Sequence, residues 1–505
     1  MYFLYNISSS IIPSPTFPVG QNTPSRDVDL VLSDISGKDF AEFVVRYIQE
    51  EHSEDEYRLH QPNASKGKSD HLQNANLIIS GFDVDFCRSR SEKYDKNSRV
   101  PSQINVASAV EDAWRRDLTI NALYYNINTN QVEDWTEKGV RDLILQRIMT
   151  PKKPLPTLLE DPSRILRAVR FAAQLSFEMS PTLKKAAMDV RVRMALQQKV
   201  SRDAIGSAMD DMFSSLARDP SRGILLLIEI GLIDVVFPLR EKPRFPRQNC
   251  DNMELYTLGL VTLQNTQTLI TSIFLNYPAL EWDLSQRRLL WYSAFFKPVY
   301  DEMPTNIRTK KSKKKEELFY QLLDAMKRPK ADVQMIENIL KGVTPLQTMM
   351  LHPVINSAIS PDPSLQLYIY QNKKLLSDLR WIVFSTMKPI GKMWKETLVL
   401  SLASSEQSRP KSVQQYKDIV SLIENTLHLG PLLLGKKKMV SILNGKDIQR
   451  VMPGKIDGQS FRIVTQAIEE WQIRNNILDE IYEEERDQIE ARLVDHLIDI
   501  FPQFS

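Results

Sequence analysis

Two short segments in the first hundred residues alternate apolar and polar positions, which predicts β-strands. Asp27–Leu32 reads DVDLVL, so one face is aliphatic and the opposite face begins with two aspartates. Leu77–Phe86 is the second segment, and Gly81 is expected to divide it into the two arms of a hairpin. Phe40–Glu50 has instead the spacing of an amphipathic helix. The side chains expected on its inward face are Phe40, Phe43, Val44 and Tyr47.

The segments around these elements are predicted to be irregular. Residues 1–25 contain four prolines, which prevent a continuous helix. Residues 51–75 are polar and charged and predict a solvated loop. Two cationic stretches lie further along, Asn306–Lys315 and Lys436–Lys438. Each is either a solvated loop or a patch that contacts RNA phosphates, and charge alone favours the loop.

Helical periodicity dominates the rest of the chain. Ala109–Tyr124 predicts one helix, and Gln131–Asp134 and Gly139–Leu143 flank a short turn. After Pro162 few strand signals remain. The first helices predicted in this part are Arg164–Gln174, Thr182–Lys199, Asp203–Leu216 and Gly223–Ile230. The pattern therefore predicts a small head of strands and helices followed by a long all-α body.

Composition narrows the possible partners only slightly. The 505 residues, 42% hydrophobic and 25% charged, suit a globular protein, and a net charge of +2 neither supports nor excludes an RNA partner. Two cysteines, Cys87 and Cys250, make a disulfide framework unexpected, and the six histidines lack zinc-site spacing. No apolar run reaches the roughly 18–20 residues that cross a bilayer, so no membrane partner is expected. The first residues lack the basic segment of a signal peptide or mitochondrial presequence.

The aspartates of the first predicted strand form the first chemical pattern. Asp27 and Asp29 are two residues apart and share one face of the strand. Two adjacent carboxylates repel each other, and a divalent cation such as Mg²⁺ with a bound nucleoside triphosphate is their usual compensation. Asp83 and Asp85 repeat the pattern, so Asp85 is a candidate third metal ligand if its strand lies beside the first. The alternative for each pair is a solvated acidic surface.

The segment Glu111–Leu123 reads EDAWRRDLTINAL and supplies candidate phosphate ligands. Arg115 or Arg116 could hold a triphosphate, because guanidinium groups match phosphate oxygens. Asp117 and Asn121 are spaced to share a helical face, and Asn121 could bond a ribose. The alternative is a helix laced with ion pairs, such as Asp112 with Arg116, and composition alone favours it.

Asp161 and Arg164, in the sequence EDPSR, are three residues apart at the start of a predicted helix. Cytosine and adenine both present an exocyclic amine beside a ring-nitrogen acceptor. A carboxylate accepts from the amine and a guanidinium donates to the ring nitrogen, whereas uracil and guanine reverse this pattern. The pair could therefore accept CTP and ATP and reject UTP and GTP. The alternative is a pair of acids that favour the helix dipole.

Taken together, these segments resemble the class II tRNA nucleotidyltransferases, especially their eukaryotic branch. Glu111–Asn126 is the most specific of the matching motifs, and residues 240–430 match only as helices. The other motifs, in family order, are Asp27–Leu32, Ser36–Phe40, Asp83–Tyr94, Ser98–Pro101, Glu133–Leu143, Leu159–Ala172, Leu443–Ile448 and Glu469–Gln472.

The resemblance implies an α+β protein with a polymerase-β-like nucleotidyltransferase head of mixed sheet and helices, followed by an all-α neck, body and tail. The expected domains are 1–150 for the head, 151–220 for a nucleotide-selecting neck, and 221–505 for a body and tail that bind tRNA. The implied activity is addition of CCA to tRNA from CTP and ATP, with release of pyrophosphate. The implied magnesium ligands are Asp27 and Asp29. The implied nucleotide-binding residues are Arg115, Arg116, Asp117 and Asn121 for triphosphate and ribose, and Asp161 and Arg164 for the base.

Two departures from the family pattern affect this interpretation. The family places a strand, a Gly-Gly turn and a helix before D-x-D, and here only Gly20-Gln21 matches the end of that motif. That strand and turn are therefore expected to be missing, and an active enzyme is expected to have them encoded upstream. The neck motif R-E-R-I-G-x-E is altered at Ala204 and Ala208.

Two alternatives to CCA addition stay open. One is a non-catalytic or truncated RNA-binding paralogue, and the other is a poly(A) polymerase of the same superfamily. The resemblance is compatible with cytoplasm, nucleus or mitochondrion, and the sequence carries no signal for the oligomeric state.

Overall fold

The computed structural model divides into two compact units. The first comprises residues 1–264, 282–291 and 298–330, and the second comprises 265–281, 292–297 and 331–505. The structure describes residues 2–4, 27–51, 57–60, 74–95, 98–213, 219–239, 251–277, 284–302, 323–324, 326–405, 409–436, 439–452, 458–478 and 483–502.

All the described strands lie in the first unit. They are β1 (Tyr2–Leu4), β2 (Asp27–Leu32), β3 (Tyr57–His60), β4 (Ala75–Ile79), β5 (Phe82–Arg88), β6 (Arg90–Tyr94), β7 (Pro101–Val106), β8 (Tyr124–Asn126), β9 (Gln131–Glu133), β10 (Arg147–Ile148) and β11 (Glu178–Met179). Seven of them form one sheet in the order β3-β4-β5-β2-β1-β8-β9. Within it β2 and β5 pair in parallel and the other neighbours are antiparallel, so the predicted mixed sheet of an α+β head is confirmed.

Helices make up most of the remaining described structure. The first unit contains α1 (Gly37–Glu51), α2 (Ala109–Arg115), α3 (Gly139–Ile144), α4 (Pro154–Glu160), α5 (Ser163–Leu175), α6 (Pro181–Ala187), α7 (Val190–Lys199), α8 (Arg202–Phe213), α9 (Pro220–Glu229) and α10 (Ile233–Val236). Then follow α11 (Asn252–Asn276), α12 (Leu284–Asp301) and α13 (Lys330–Met350). The second unit continues with α14 (Pro353–Ala358), α15 (Pro363–Gln371), α16 (Lys373–Met387), α17 (Trp394–Ala403), α18 (Arg409–Ser421), α19 (Gly430–Leu433), α20 (Gly445–Val451), α21 (Gly458–Arg474) and α22 (Glu483–Ile500). No helix in the described ranges has both the length and the hydropathy to span a membrane.

The sheet contains strands in both segments that were predicted to be irregular. β3 lies inside residues 51–75 and pairs with β4, so the prediction of a loop is wrong there. β1 lies inside residues 1–25 and pairs with both β2 and β8. The head therefore has a strand in the place where one was expected to be missing. Backbone pairing drives both cases, because an extended segment beside an open sheet edge satisfies its N–H and C=O groups there whatever its local polarity.

The core of the head lies between one sheet face and α1. Its buried residues are Leu30, Leu32, Ala41, Ala75, Leu77, Val84 and Phe86. Phe40 and Val44 pack against it as predicted, but Phe43 and Tyr47 are 58% and 53% exposed, so their inward assignment is wrong. Ala41 faces the sheet. Phe43 and Tyr47, two and six positions further along the helix, are rotated by about 200° and 240° from that direction. The predicted hairpin at Gly81 is confirmed, since Ser80 and Gly81 both adopt positive φ between β4 and β5.

The predicted helix Ala109–Tyr124 is instead three elements. Ser108 caps α2 through a capping box with Glu111, and the helix ends at Arg115. A 3₁₀ turn follows at Thr119–Ala122, and Tyr124 begins β8. The reason is burial: Leu118, Thr119, Ile120, Ala122, Leu123 and Tyr124 are all buried. An α-helix would turn part of such a run to solvent, whereas the tighter, partly extended path buries nearly all of it.

The neck region also departs from prediction. The predicted helix Thr182–Lys199 is divided at Met188, where Asp189 caps the start of α7. β10 and β11 form a short parallel pair that helical periodicity did not predict. The cationic stretch Asn306–Lys315 lies outside the described residues, as do Lys437 and Lys438.

Gly206 marks a close approach in the altered neck motif. A Cβ built on this α8 residue would lie 2.1 Å from the main-chain oxygen of Met326. Replacing Gly206 with alanine is therefore expected to lower the free energy of unfolding by about 1–3 kcal/mol, because backbone must shift. Urea denaturation monitored by circular dichroism measures the change. Gly458→Ala is the control, since no described residue lies within 4 Å of its added methyl group. Equal stability of the two variants would contradict the prediction.

Candidate active site

Four aspartate positions lie on one face of the sheet at the start of two neighbouring strands. The parallel register of β2 and β5 places Asp27 beside Asp83 and Asp29 beside Asp85. Because side chains alternate along a strand, these positions share the face opposite to the α1 core. The condition that made Asp85 a candidate third ligand, a strand beside β2, is therefore met. The side chain of Asp27 lies outside the described residues.

Asn76 of β4 holds two of these carboxylates. Its Nδ2 donates to Oδ1 of Asp85 at 2.9 Å and also to Oδ1 of Asp83. Both aspartates are exposed and their Oδ2 atoms accept no hydrogen bond from described residues. The donor set is thus carboxylate oxygen, the type that Mg²⁺ prefers. Among the described side chains, no group of three or more acidic, histidine or cysteine residues is arranged to hold a metal ion. The Asp27 carboxylate is not among these described side chains.

A buried carboxylate organises the arginines beyond this acidic face. Asp112 is fully buried, and its Oδ1 accepts from Arg115 Nη2 at 2.5 Å. Its Oδ2 accepts from Arg116 Nη2 at 2.9 Å and from the Tyr124 hydroxyl at 2.5 Å. Burial acts to raise the pKa of Asp112, but the guanidinium groups of Arg116 and Arg115 outweigh it and lower that pKa to about 2. The ion-pair alternative therefore describes the contacts of these two arginines, and the expected phosphate-binding role stays a prediction.

Arg116 lies at the end of the acidic face. Cys87 continues that face two residues after Asp85, and α2 packs over it through Ala113 and Val31. Burial raises the pKa of the Cys87 thiol to about 11, opposed by the positive charge of Arg116 and assisted by the negative charge of Asp29. The guanidinium carbon of Arg116 lies 5.4 Å from the ring centre of Tyr124, and Tyr124 packs in one buried cluster with Val31 of that face. The Nη1 atom of Arg116 has no hydrogen bond within the described residues, so it can still donate to an anion.

Asp117 and Asn121 form a second group, although they do not share a regular helix. Asp117 Oδ1 accepts from the Asn121 amide at 3.4 Å, and Oδ2 accepts from Arg167 of α5. Burial would raise the pKa of Asp117, but Arg167 holds it below its usual value. The Oδ1 atom of Asn121 is buried and has no hydrogen-bond partner among the described residues. This oxygen is an acceptor without a donor, and a ribose hydroxyl is the kind of donor that would satisfy it.

Asp161 and Arg164 each keep unused hydrogen-bonding groups. Asp161 Oδ1 accepts from the main-chain N–H and hydroxyl of Ser163, and its Oδ2 has no partner among the described residues. Arg164 is buried, and its Nη2 donates to the carbonyl of Arg115 at 2.9 Å and to the Tyr94 hydroxyl at 3.3 Å. Its Nε and Nη1 make no protein hydrogen bond in the described part of the chain. One free acceptor and two free donors therefore remain, as the base-reading hypothesis requires.

Several residues of this region were not predicted from the sequence. Asn76 has no motif signal, because only the antiparallel register of β4 and β5 brings it to the acids. Glu92 and Tyr94 lie in the motif Asp83–Tyr94, but no role was predicted for them. Their spacing of two residues on β6 indicates that they share a face of the strand. Arg167 follows Arg164 by three residues on α5, a spacing that predicts a common face.

This chain is similar to known proteins in both sequence and fold. Residues 21–149 match the family profile described as the poly(A) polymerase head domain. The matched residues lie within the part of the chain that was predicted to be the head. The tRNA nucleotidyltransferase cca2 of Schizosaccharomyces pombe is 32% identical over 263 residues, which cover 51% of this chain and 51% of the relative. The mitochondrial CCA tRNA nucleotidyltransferase of Saccharomyces cerevisiae is 33% identical over 236 residues, 46% of this chain and 43% of the relative.

Solved structures extend the likeness beyond the head. A CCA-adding enzyme in apo form II has a TM-score of 0.52 at 18% identity, covering 92% of this chain and 87% of that one. The Thermotoga maritima CCA-adding enzyme complexed with tRNA has a TM-score of 0.50 at 16% identity, covering 94% and 87%. At this identity the likeness concerns the fold alone. The predicted resemblance to class II tRNA nucleotidyltransferases is confirmed, while the chain spans only about half the length of the curated relatives it matches.

Proposed function

We propose that this chain adds CCA to the 3′ end of tRNA, using CTP and ATP and releasing pyrophosphate. The observation that carries the proposal is the register of β2 and β5, which sets Asp29 beside Asp85. The same face continues through Val31 to Tyr124, and the Arg116 guanidinium lies over the Tyr124 ring. Carboxylates next to an arginine fit a nucleoside triphosphate with its divalent cation. Two of the relatives are named as tRNA nucleotidyltransferases, and one solved neighbour is a complex with tRNA.

Asp27 and Asp29 would hold Mg²⁺, with Asp85 as a third ligand. When bound, Mg²⁺ supplies neutralisation of the triphosphate charge and activation of the attacking 3′-hydroxyl. The chain's own residues do the positioning. Arg116 Nη1 donates to a phosphate oxygen, and Asn121 Oδ1 accepts from the ribose. Arg115 and Asp117 hold these two in place through Asp112 and the Asn121 amide.

Asp161 and Arg164 would select the base. The Asp161 Oδ2 acceptor meets the exocyclic amine of cytosine or adenine, and an N–H of Arg164 donates to the ring nitrogen. Uracil and guanine place a carbonyl against the carboxylate and a ring N–H against the guanidinium. The division into a head of residues 1–150, a neck of 151–220 and a tRNA-binding body and tail of 221–505 is part of the proposal. Because the S. cerevisiae relative is named as mitochondrial, the mitochondrion is the first compartment to test.

Incubating the full chain with a tRNA transcript that ends before CCA tests the proposal. Labelled CTP, labelled ATP, or both are supplied with MgCl₂, and products are separated at nucleotide resolution. Addition of two cytidines and then one adenosine is the expected result. A long adenosine tail would identify a poly(A) polymerase instead, and no incorporation with retained tRNA binding would identify an RNA-binding paralogue.

Replacing Arg164 with alanine is expected to relax base choice more than it weakens triphosphate binding. The variant loses the donors that face the ring nitrogen but keeps Arg116 and the acidic face. We expect incorporation of UTP relative to CTP to rise about 10-fold or more, as befits loss of one bidentate contact. Ratios of kcat/KM for the four nucleotides measure this. Unchanged exclusion of UTP and GTP would contradict base reading by Arg164.

A further inference from the structure

The side chain of Arg164 is held by a series of hydrogen bonds to which the sequence motifs give no role. Its Nη2 atom donates to two acceptors, the main-chain carbonyl of Arg115 at 2.9 Å and the hydroxyl of Tyr94 at 3.3 Å. Its guanidinium carbon also lies 5.8 Å from the centre of the Tyr94 ring. The orientation of a planar guanidinium is thus fixed by one tyrosine and one carbonyl.

Glu92 in turn contacts the side chains of both residues that supply these acceptors. Its Oε2 accepts from the Tyr94 hydroxyl at 2.6 Å, and its Oε1 accepts from Arg115 Nη1 at 3.1 Å. Oε1 also accepts from Arg90 Nε at 2.8 Å, and the Glu92 side chain is only 5% exposed. A buried carboxylate that accepts from three donors leaves little freedom to any of them.

The support of Arg164 is therefore shared with the arginines of the candidate phosphate site. Arg115 donates its Nη2 to Asp112, the carboxylate that also holds Arg116. Glu92 and Tyr94 stand on the same face of β6, so this strand carries the tyrosine part of the support and the end of α2 carries the carbonyl part.

We propose that Glu92 and Tyr94 are positioning residues for base selection. They hold the Arg164 guanidinium so that its Nε and Nη1 donors face the base of an incoming CTP or ATP. This inference rests on the proposed function, because it concerns which nucleotide the same site accepts. Tyr94 touches no substrate in this arrangement and acts only through Arg164.

Tyr94→Phe is the decisive variant. Phenylalanine keeps the ring under the guanidinium and removes only the hydroxyl that joins Arg164 to Glu92. We expect the kcat/KM ratio of UTP to CTP incorporation to rise about 10-fold, with KM for CTP changed less than twofold. Glu92→Gln keeps the shape and removes the charge, and the same ratio is expected to rise. Among the described residues the Tyr125 hydroxyl donates only to exposed Asn130 in the β8–β9 hairpin, so Tyr125→Phe is the matched control. Its UTP:CTP ratio is expected to stay at the wild-type value.

Two further readouts separate positioning from mere support of the fold. Equal loss of rate with all four nucleotides, together with a lower unfolding midpoint, would overturn the inference. So would an unchanged UTP:CTP ratio in both variants while the wild type builds CCA. Dissociation constants for CTP and UTP, measured by equilibrium dialysis, test the inference without turnover. If the wild type incorporates no nucleotide, the proposed function fails. The positioning role is then still supported if the wild type binds CTP more tightly than UTP and Tyr94→Phe reduces that difference in dissociation constants. Absence of any such preference overturns both.

Discussion

Replacing Asp29 with asparagine is expected to lower the rate of nucleotide addition by about a thousandfold or more. The amide keeps the size of the side chain but loses the charge that compensates a divalent cation. Changes to residues that merely support metal ligands typically cost 10–100-fold, and a ligand itself contributes more. Single-turnover incorporation of labelled CTP into tRNA lacking CCA measures the rate. Binding of tRNA, followed by filter retention, is expected to change less than twofold because Asp29 does not contact RNA in this proposal.

Asp34→Asn provides the matched control for this result. Asp34 follows β2 by two residues and is exposed, and among the described residues its carboxylate accepts a hydrogen bond only from neighbouring Ser33. The control therefore changes an aspartate of the same region without touching the acidic face. Near-wild-type addition by Asp29→Asn, with Asp34→Asn equally active, would refute the metal assignment for β2.

Replacing Asp112 with asparagine is expected to destabilise the protein by about 3 kcal/mol at neutral pH. The carboxylate is fully buried between Arg115 and Arg116, and its removal leaves two guanidinium groups without their common counter-charge. Breaking a buried pair from one side is costly because a desolvated charge remains. The midpoint of urea unfolding, monitored by circular dichroism, measures the change.

The same variant is expected to change the response to acid. The pKa of Asp112 in the folded protein is about 2, below its ordinary value of 3.8. A depressed pKa means that the stabilisation is complete above about pH 4 and disappears as the pH falls through 2. Wild type should therefore lose about 2 kcal/mol more than Asp112→Asn between pH 5 and pH 2.

Asp34→Asn is the control for both measurements. Asp34 is exposed, and among the described residues its carboxylate accepts a hydrogen bond only from neighbouring Ser33. Its unfolding midpoint is expected to match the wild type. If Asp112→Asn behaves like this control at every pH, then Asp112 does not organise the arginines in solution.

Local pattern predicted the strands and helices that carry strong periodicity. The strand Asp27–Leu32, the Gly81 hairpin and α5 follow from spacing and glycine chemistry that act within a few residues. Prediction from local pattern failed where tertiary contacts override local preference. Residues 118–124 leave the helix because all of them except Asn121 are buried, and β3 forms because β4 offers a free edge.

The candidate site was predictable only as a set of residue types. Alternation along a strand placed Asp27 with Asp29, but the pairing of β2 with β5 depends on a crossover that no short motif encodes. The pairing of Asp112 with Arg116 was predicted as an alternative from their helical spacing, and the structure adds Arg115 to the same carboxylate. The contact of Arg164 with Tyr94 spans 70 residues and follows from packing alone.

The pairing of β2 with β5 also links chemistry to folding. Each strand places aspartates on one side and core residues such as Leu30, Val84 and Phe86 on the other. If β5 slipped by a single residue, every side chain would change sides, so Val84 would enter water and Asp85 would enter the core. Such a slipped state is penalised twice, through exposed hydrocarbon and through a buried charge. Whatever preserves the fold of this sheet therefore preserves the alignment of its acids as well.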